Sequence, residues 1–205
     1  MSSGADRTLV RTVNWLLVAD PGSERADLWR ESDGWTIEGT VKAFVEELIR
    51  VSYVVRCSPD WVTRAVAVNE TRQDGERTFE LIADDDRRWW MGGQPVPALE
   101  GCVDVDLGVT PSTNTLPIRR LGLGIGEAAE IDAAWIRFPE LDVVRASQRY
   151  TRLADRRYLY QSRTFQAELD VDDLGLVVTY PGIWKRDGDD GSKRAARPTI
   201  DRSFR

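Results

Sequence analysis

The chain has 205 residues, 41% of them hydrophobic, and a formal net charge of −6 with 2 Cys and no His. This length fits one domain with a full hydrophobic core, and the lack of histidine excludes His-ligated metals, Ser-His and Cys-His dyads and imidazole acid–base catalysis. Residues 185–205 hold seven basic and four acidic side chains, which leaves −9 for residues 1–184. An acidic body disfavours nucleic-acid binding, which needs a basic face.

The cysteines and the amino-terminal residues predict a cytoplasmic protein. Residues 1–11 have no apolar signal core, and no stretch approaches the ~18 apolar residues of a membrane span. Cys57 and Cys102 form no CxxC motif, so we expect two reduced thiols. We also expect no cofactor, no metal and no stable membrane insertion, while the oligomeric state stays open.

Alternation of apolar and polar residues with a period of two, typical of strands with one buried face, is the dominant pattern. A first strand pair is predicted at 11–18 and 25–32, and the alternation continues through 35–43. Further strands are predicted at 49–57, 61–69, 77–83, 87–91, 102–107, 128–138, 143–153, 157–162, 165–171 and 175–180.

Segment 41–50 fits two periods. Its apolar residues also match the i, i+3, i+4, i+7 spacing of a helix. Because alternation of β-branched residues continues on both sides, we favour a hairpin that turns near Glu46 and Glu47, although no glycine is present for the turn. The helix remains the alternative.

Short turns between neighbouring strands predict an antiparallel meander, and no long amphipathic helices alternate with the strands, so the fold class is mainly β. Thr110-Pro111 resembles an N-cap followed by a first-turn proline, which predicts a short helical turn at 111–116. Residues 1–184 are predicted to form one domain, and residues 185–205, which have little to bury, a disordered polar tail.

Two carboxylates are candidates for catalysis. Asp104 and Asp106 lie two apart on a predicted strand, so they project from one face roughly 7 Å apart. This spacing would suit a hydrolase of a carbohydrate or a phosphorylated metabolite, with the two as acid and base. Alternatively, they form ion pairs with nearby arginines or face solvent.

The polar segment, defined here as residues 110–120, is rich in hydroxyl, amide and guanidinium groups within a chain that otherwise alternates plainly. Arg119 and Arg120 can donate paired hydrogen bonds to phosphate or carboxylate, and Asn114 can bind sugar hydroxyls. The segment is therefore a candidate for holding a polar headgroup. The alternative is structural: Asp104 or Asp106 accepts from one of the arginines, and Asn114 satisfies the loop backbone.

Four more polar or amphipathic side chains lie on two adjacent predicted strands. Gln148 and Tyr150 share one strand face, and Tyr158 and Tyr160 share a face on the next strand. Tyrosines beside apolar residues suit the mouth of a cavity, where one end is dry and the other wet. They also suit an ordinary sheet rim.

These segments resemble the bacterial family described as putative glycolipid-binding. The resemblance covers roughly residues 12–186 and is carried by 101–107 (GCVDVDL), Thr110-Pro111, 113–121 (TNTLPIRRL), 148–153 (QRYTRL), 158–162 (YLYQS), 172–177 (DDLGLV) and Tyr180-Pro181.

The resemblance implies a single-domain spiral β-roll, similar to the open half-barrels of periplasmic lipoprotein carriers and of mycobacterial glycolipid-binding lipoproteins. It implies non-enzymatic binding of a lipid-like or glycolipid-like ligand in a concave cavity, but no established catalytic residues. On this reading, the polar segment and the residues Asn114, Arg119, Arg120, Gln148, Tyr150, Tyr158 and Tyr160 would hold the headgroup. The hydrolase and a protein-interaction module, whose sheet edge or exposed Trp docks a partner, remain alternatives.

Overall fold

The polypeptide forms one long, open sheet. The computed structural model describes residues 7–163 and 165–188, and the backbone of 199–200. Two 3₁₀ turns lie at Pro97–Leu99 and Ser112–Asn114, and the helix α1 spans Thr115–Leu121. The strands are β1 (Thr8–Leu17), β2 (Ser23–Glu31), β3 (Gly34–Val45), β4 (Glu47–Cys57), β5 (Thr63–Arg72), β6 (Gly75–Ala83), β7 (Trp89–Met91), β8 (Gln94–Pro95), β9 (Asp104–Leu107), β10 (Ala128–Arg137), β11 (Asp142–Ala154), β12 (Arg157–Ser162), β13 (Phe165–Val171), β14 (Val177–Tyr180), β15 (Trp184–Arg186) and β16 (Thr199–Ile200).

The strand order joins the two halves of the chain side by side. From β8 the strands run back in sequence to β1, which pairs with β15, and from β15 they run back to β9. Neighbours are antiparallel except β9, which lies parallel to β10. The end of the sheet at β9 approaches β5: the amide of Thr63, the first residue of β5, donates to the carbonyl of Val103, just before β9, over 3.2 Å. The predicted mainly-β, single-domain open sheet with short helical segments is confirmed.

The alternation seen in the sequence places one side of each long strand inside the roll. In β3 and β4, Ile37, Val41, Ile49 and Val51 are at most 1% exposed. The alternate residues Thr40, Lys42 and Arg50 are exposed. The buried side chains belong to one continuous core that also contains Leu116 of α1. The helix therefore packs inside the roll as part of its core.

The β3–β4 connection is the predicted hairpin. Val45 pairs with Glu47, and the single residue between them, Glu46, has a φ of 62°. A non-glycine residue thus takes the left-handed conformation that a turn this tight requires. The helical interpretation of segment 41–50 is wrong because the alternating residues on both sides extend the strand pairing to the turn.

The helical part of the polar segment is longer than predicted. The hydroxyl oxygen of Thr110 accepts the amide of Ser112 over 3.0 Å, which is the bond expected of a cap. However, the helix continues to Leu121 instead of stopping at 116. Pro117 permits this because it occupies the first turn of α1, where no intrahelical amide donor is needed.

The predicted tail, residues 185–205, lies mostly outside the described residues and stays a prediction there. Its first two residues, Lys185 and Arg186, belong to β15, which pairs with β1 and β14. Near the other end, β16 pairs with Phe165 and Gln166 of β13. None of the helices in the described ranges has the length and apolar character needed to cross a membrane.

Candidate functional site

The polar segment crosses the inside of the roll and ties distant strands together. Residues 110–118 are all buried. Thr110 and Ser112 face β2 and β4, while the carbonyl oxygen of the Asn114 side chain accepts the hydroxyl of Tyr150 on β11 over 2.9 Å. Most of the segment therefore bonds to the protein itself, and only its carboxyl end approaches the surface.

A buried carboxyl group lies where the segment enters the roll. Glu24 of β2 is 2% exposed and accepts hydrogen bonds from Tyr53 and from the hydroxyl of Thr110, at 2.7 Å to either carboxylate oxygen. The hydroxyls of Tyr53 and Ser112 are 2.6 Å apart. Burial raises the pKa of Glu24 to about 8, although the hydrogen bonds from Tyr53 and Thr110 oppose the shift. Glu24, Tyr53 and Ser112, named here the Glu24 cluster together with Thr110, were not among the site residues predicted from the sequence.

Gly39 makes the Glu24 cluster possible. It lies on β3 between its partners Ala26 and Tyr53. A Cβ atom at position 39 would overlap the phenol ring of Tyr53, which crosses over the glycine to reach Glu24. In the sequence, only the glycine inside the alternating pattern of β3 pointed to this cluster, because a glycine in a strand often marks the close approach of another group.

Replacing Gly39 with Ala is expected to destabilise the protein by about 1–3 kcal/mol, the usual cost of overpacking a well-packed core. The measurement is urea denaturation followed by tryptophan fluorescence. In a Tyr53→Leu background the same substitution should cost much less, because the ring that the new methyl group overlaps is gone. Equal costs in the two backgrounds would contradict the overlap.

The two candidate aspartates have separate partners. Arg120 holds Asp104 with two hydrogen bonds, Nε to Oδ1 at 3.0 Å and Nη2 to Oδ2 at 2.6 Å. The side-chain amide of Gln148 donates to Asp106 over 2.6 Å. Asn114 donates to the carbonyl of Pro111 over 3.1 Å. These contacts match the structural alternative for Asp104, Arg120 and Asn114.

Burial raises the pKa of both aspartates. Arg120 partly opposes the shift at Asp104, while Gln148 and Thr113 partly oppose it at Asp106, whose pKa rises to about 6. Asp104 is only 1% exposed, and neither carboxylate lines the cleft described next. A hydrolase would need the carboxyl groups of Asp104 and Asp106 in one accessible cleft. This arrangement does not support that function, which stays a prediction.

A cleft of about 500 Å³ opens where α1 ends. It brings together Arg119 and Tyr158, two of the residues selected from the sequence. The other predicted binding residues lie deeper or elsewhere: Tyr150 and Tyr160 pack with their rings 5.2 Å apart inside the roll. The full lining is Ile118, Arg119, Gly122, Arg152, Asp155, Arg156, Tyr158, Val171, Asp172, Asp173 and Gly175.

The guanidinium of Arg119 makes a cation–π contact with one aromatic ring. The guanidinium carbon lies 5.6 Å from the ring centroid of Trp61, which stacks on Trp35 with centroids 4.6 Å apart. Arg30 covers the far face of this pair at 4.6 Å from Trp35. Because Arg119 is exposed and forms no ion pair among the residues that the structure describes, its donors are available to a ligand.

The remaining cleft residues form a mixed polar surface. Arg152 donates to the carbonyl of Leu123 over 2.8 Å and to Asp155 over 3.1 Å, so it is fixed. Asp172 is held by Arg186 over 2.9 Å. Guanidinium donors beside carboxylate acceptors and a tyrosine suit a headgroup that carries hydroxyls or a small anion. No cluster of three or more His, Cys, Asp or Glu that could hold a metal is present in the described ranges.

The fold and cleft define a small, open β-roll with a polar mouth. The chain belongs to the family described as "Putative glycolipid-binding", whose model matches residues 12–186. It is similar to the crystal structure of a DUF1089 family protein from Pseudomonas aeruginosa, with a TM-score of 0.75 and 36% sequence identity over 82% of this chain and 94% of that chain. No curated protein matches. The resemblance noted from the sequence is confirmed.

Proposed function

We propose that the protein binds a glycolipid-like amphiphile without catalysis, and that the headgroup lies in the cleft beside Arg119. The observation that carries this proposal is the guanidinium of Arg119, which lies over the ring of Trp61, forms no ion pair within the described ranges and lines a cleft of about 500 Å³. That volume falls in the range of small-molecule sites. Membership of the family supports the ligand class.

The chemistry of the cleft favours a hydroxyl-rich headgroup. Sugar hydroxyls both donate and accept hydrogen bonds. Arg119 and Arg156 can donate to them, Asp173 can accept from them, and Tyr158 also lines the cleft. A purely anionic head would meet carboxylates as well as guanidinium groups in the same cleft, which reduces its advantage.

The apolar part of the ligand is proposed to leave along the rim instead of entering behind α1. Leu116 and Ile118 of that helix are buried in the core cluster, so they occupy the inside of the roll there. At the rim, Ile125 and Leu153 are 66% and 40% exposed. They flank the hydrogen bond from the amide of Gly126 to the carbonyl of Arg152, a cleft residue.

The test is a titration of the full chain with decyl maltoside and with decyl phosphocholine, both below their critical micelle concentrations. We expect the maltoside to bind more tightly and to change the tryptophan fluorescence, because Trp61 underlies Arg119. The variant Arg119→Ala should bind the maltoside about tenfold more weakly or worse, since hydrogen bonds from a charged donor contribute about 1.5–3 kcal/mol.

Arg149→Ala is the matched control. Arg149 is an exposed arginine of β11 that pairs with Glu130 over 3.2 Å and does not line the cleft. It should bind the maltoside like the unchanged protein. Equal binding by Arg119→Ala, together with native mass spectra free of any extractable lipid, would overturn the proposal.

A further inference from the structure

The β3–β4 hairpin projects beyond both of its neighbours in the sheet. The last pair between β2 and β3 is Ser23 with Lys42, and the last pair between β4 and β5 is Arg50 with Thr71. Residues 43–49, named here the hairpin tip, therefore continue as three residue pairs, and no strand in the described part of the chain pairs with them on either side. Such a tip can reach a surface that the rest of the sheet does not touch.

The outer face of the hairpin tip is apolar. Phe44 and Leu48 are direct cross-strand partners and are 59% and 61% exposed. Their sequence neighbours Ala43 and Ile49 are buried on the opposite face. Two large apolar side chains kept side by side in water are unfavourable, and such a pair is typical of a surface that another phase or molecule covers.

Two cations lie next to this apolar pair on the same face. Lys42 and Arg50 are cross-strand partners two residues further from the turn, and both are exposed. They lie about 7 Å along the strands from the apolar pair. Neither forms an ion pair in the described ranges, whereas Glu47 at the tip is neutralised by Arg72 at 2.5 Å. Glu46 at the apex is the remaining acidic group of the tip.

We propose that the hairpin tip docks reversibly on a lipid surface that contains anionic headgroups. Phe44 and Leu48 would enter the boundary between headgroups and hydrocarbon, and Lys42 and Arg50 would meet lipid phosphates. This order, apolar side chains outermost and cations one layer behind, follows the order of hydrocarbon and phosphate in a leaflet. The charge of Glu46 limits the depth and keeps the contact reversible.

A second copy of the chain fits this surface less well. A symmetric contact brings the same patch of two molecules together, so the two Lys42 and two Arg50 side chains would approach one another. Like charges that face each other without a partner oppose association. An anionic lipid surface instead provides the opposite charge and covers the apolar pair in the same step.

The test is flotation of the full chain with vesicles of phosphatidylcholine, alone or mixed in equal parts with phosphatidylglycerol. We expect binding to the mixed vesicles that weakens with salt. The double variant Phe44→Ser/Leu48→Ser should bind at least tenfold more weakly, Lys42→Ser/Arg50→Ser should lose the preference for phosphatidylglycerol, and Glu46→Gln should bind more tightly.

Ile82→Ser is the matched control, because Ile82 is 49% exposed on β6, away from the hairpin tip. It should float like the unchanged protein. Flotation is measured without the maltoside, so its failure is distinguishable from failure of the cleft proposal. Absence of flotation, or equal flotation of the Phe44→Ser/Leu48→Ser variant, would overturn the proposal. So would a dimer that this double variant converts to a monomer, since a second copy would then cover the tip.

Discussion

Replacing Arg120 with Ala is expected to destabilise the protein by about 3–5 kcal/mol at neutral pH, because it leaves a buried carboxylate without its partner. Asp104 is 1% exposed and takes both of its close hydrogen bonds from this one guanidinium. The measurement is the free energy of unfolding from urea denaturation, with an unchanged slope showing that the same surface unfolds.

Arg137→Ala provides the matched control. Arg137 forms the same two-bond contact, with Nε 2.8 Å and Nη2 2.5 Å from the carboxylate of Asp142. That carboxylate is 46% exposed, so losing its partner should cost less than about 1 kcal/mol.

The cost of Arg120→Ala should also shrink in acid. Burial already raises the pKa of Asp104, and Arg120 is the group that opposes the shift. Without the arginine, the carboxyl group can take a proton as the pH falls, which removes the unpaired charge. A loss of less than about 1 kcal/mol in unfolding free energy at neutral pH, or a loss that grows in acid, would contradict this prediction. The ion pair of Asp104 with Arg120 would then not stabilise the contact between β9 and the polar segment.

The long strands could be predicted from local patterns because each carries its own alternation. The hairpin at Glu46 is the clearest example. Its apolar residues also fit the spacing of a helix, but the alternation typical of strands extended further along the sequence on both sides. The short strands β8, β15 and β16 were not predicted, because two or three residues are too few to show alternation. The length of α1 was not predictable from Pro117 by itself, since a proline inside the first turn and a proline that ends a helix look alike in a sequence.

The polar contacts depended on pairings between distant parts of the chain. The Asp104–Arg120 pair was within reach of sequence reasoning, because both residues lie in one short segment. Glu24 was not, because Thr110 lies 86 residues away. Similarly, Arg119 was selected for its chemistry, but the ring of Trp61 beneath its guanidinium belongs to a distant part of the chain, so this contact was not predictable.

Glu24 should make the protein less stable as the pH rises from about 5 to about 8. Its pKa in the folded state is about 8, above its ordinary value of 4.5. Between these two values the folded state binds more protons than the unfolded state, so unfolding becomes easier with increasing pH. The contribution is fully present below 4.5, and about 5 kcal/mol of it is lost once the pH exceeds the folded-state pKa.

The variant Glu24→Gln should remove most of this slope, because an amide keeps the shape and polarity of the protonated carboxyl group without titrating. The measurement is the difference in unfolding free energy between Glu24→Gln and the unchanged protein at several pH values; it should favour the variant increasingly toward pH 8. Asp106, whose pKa rises to about 6, adds a shift of the same sign to both proteins and cancels in the difference. Glu80→Gln is the same substitution at an exposed position of β6 and should leave the slope unchanged. A difference that stays constant across this range would mean that the hydroxyls of Tyr53 and Thr110 stabilise the carboxylate well enough to keep it ionised inside the roll.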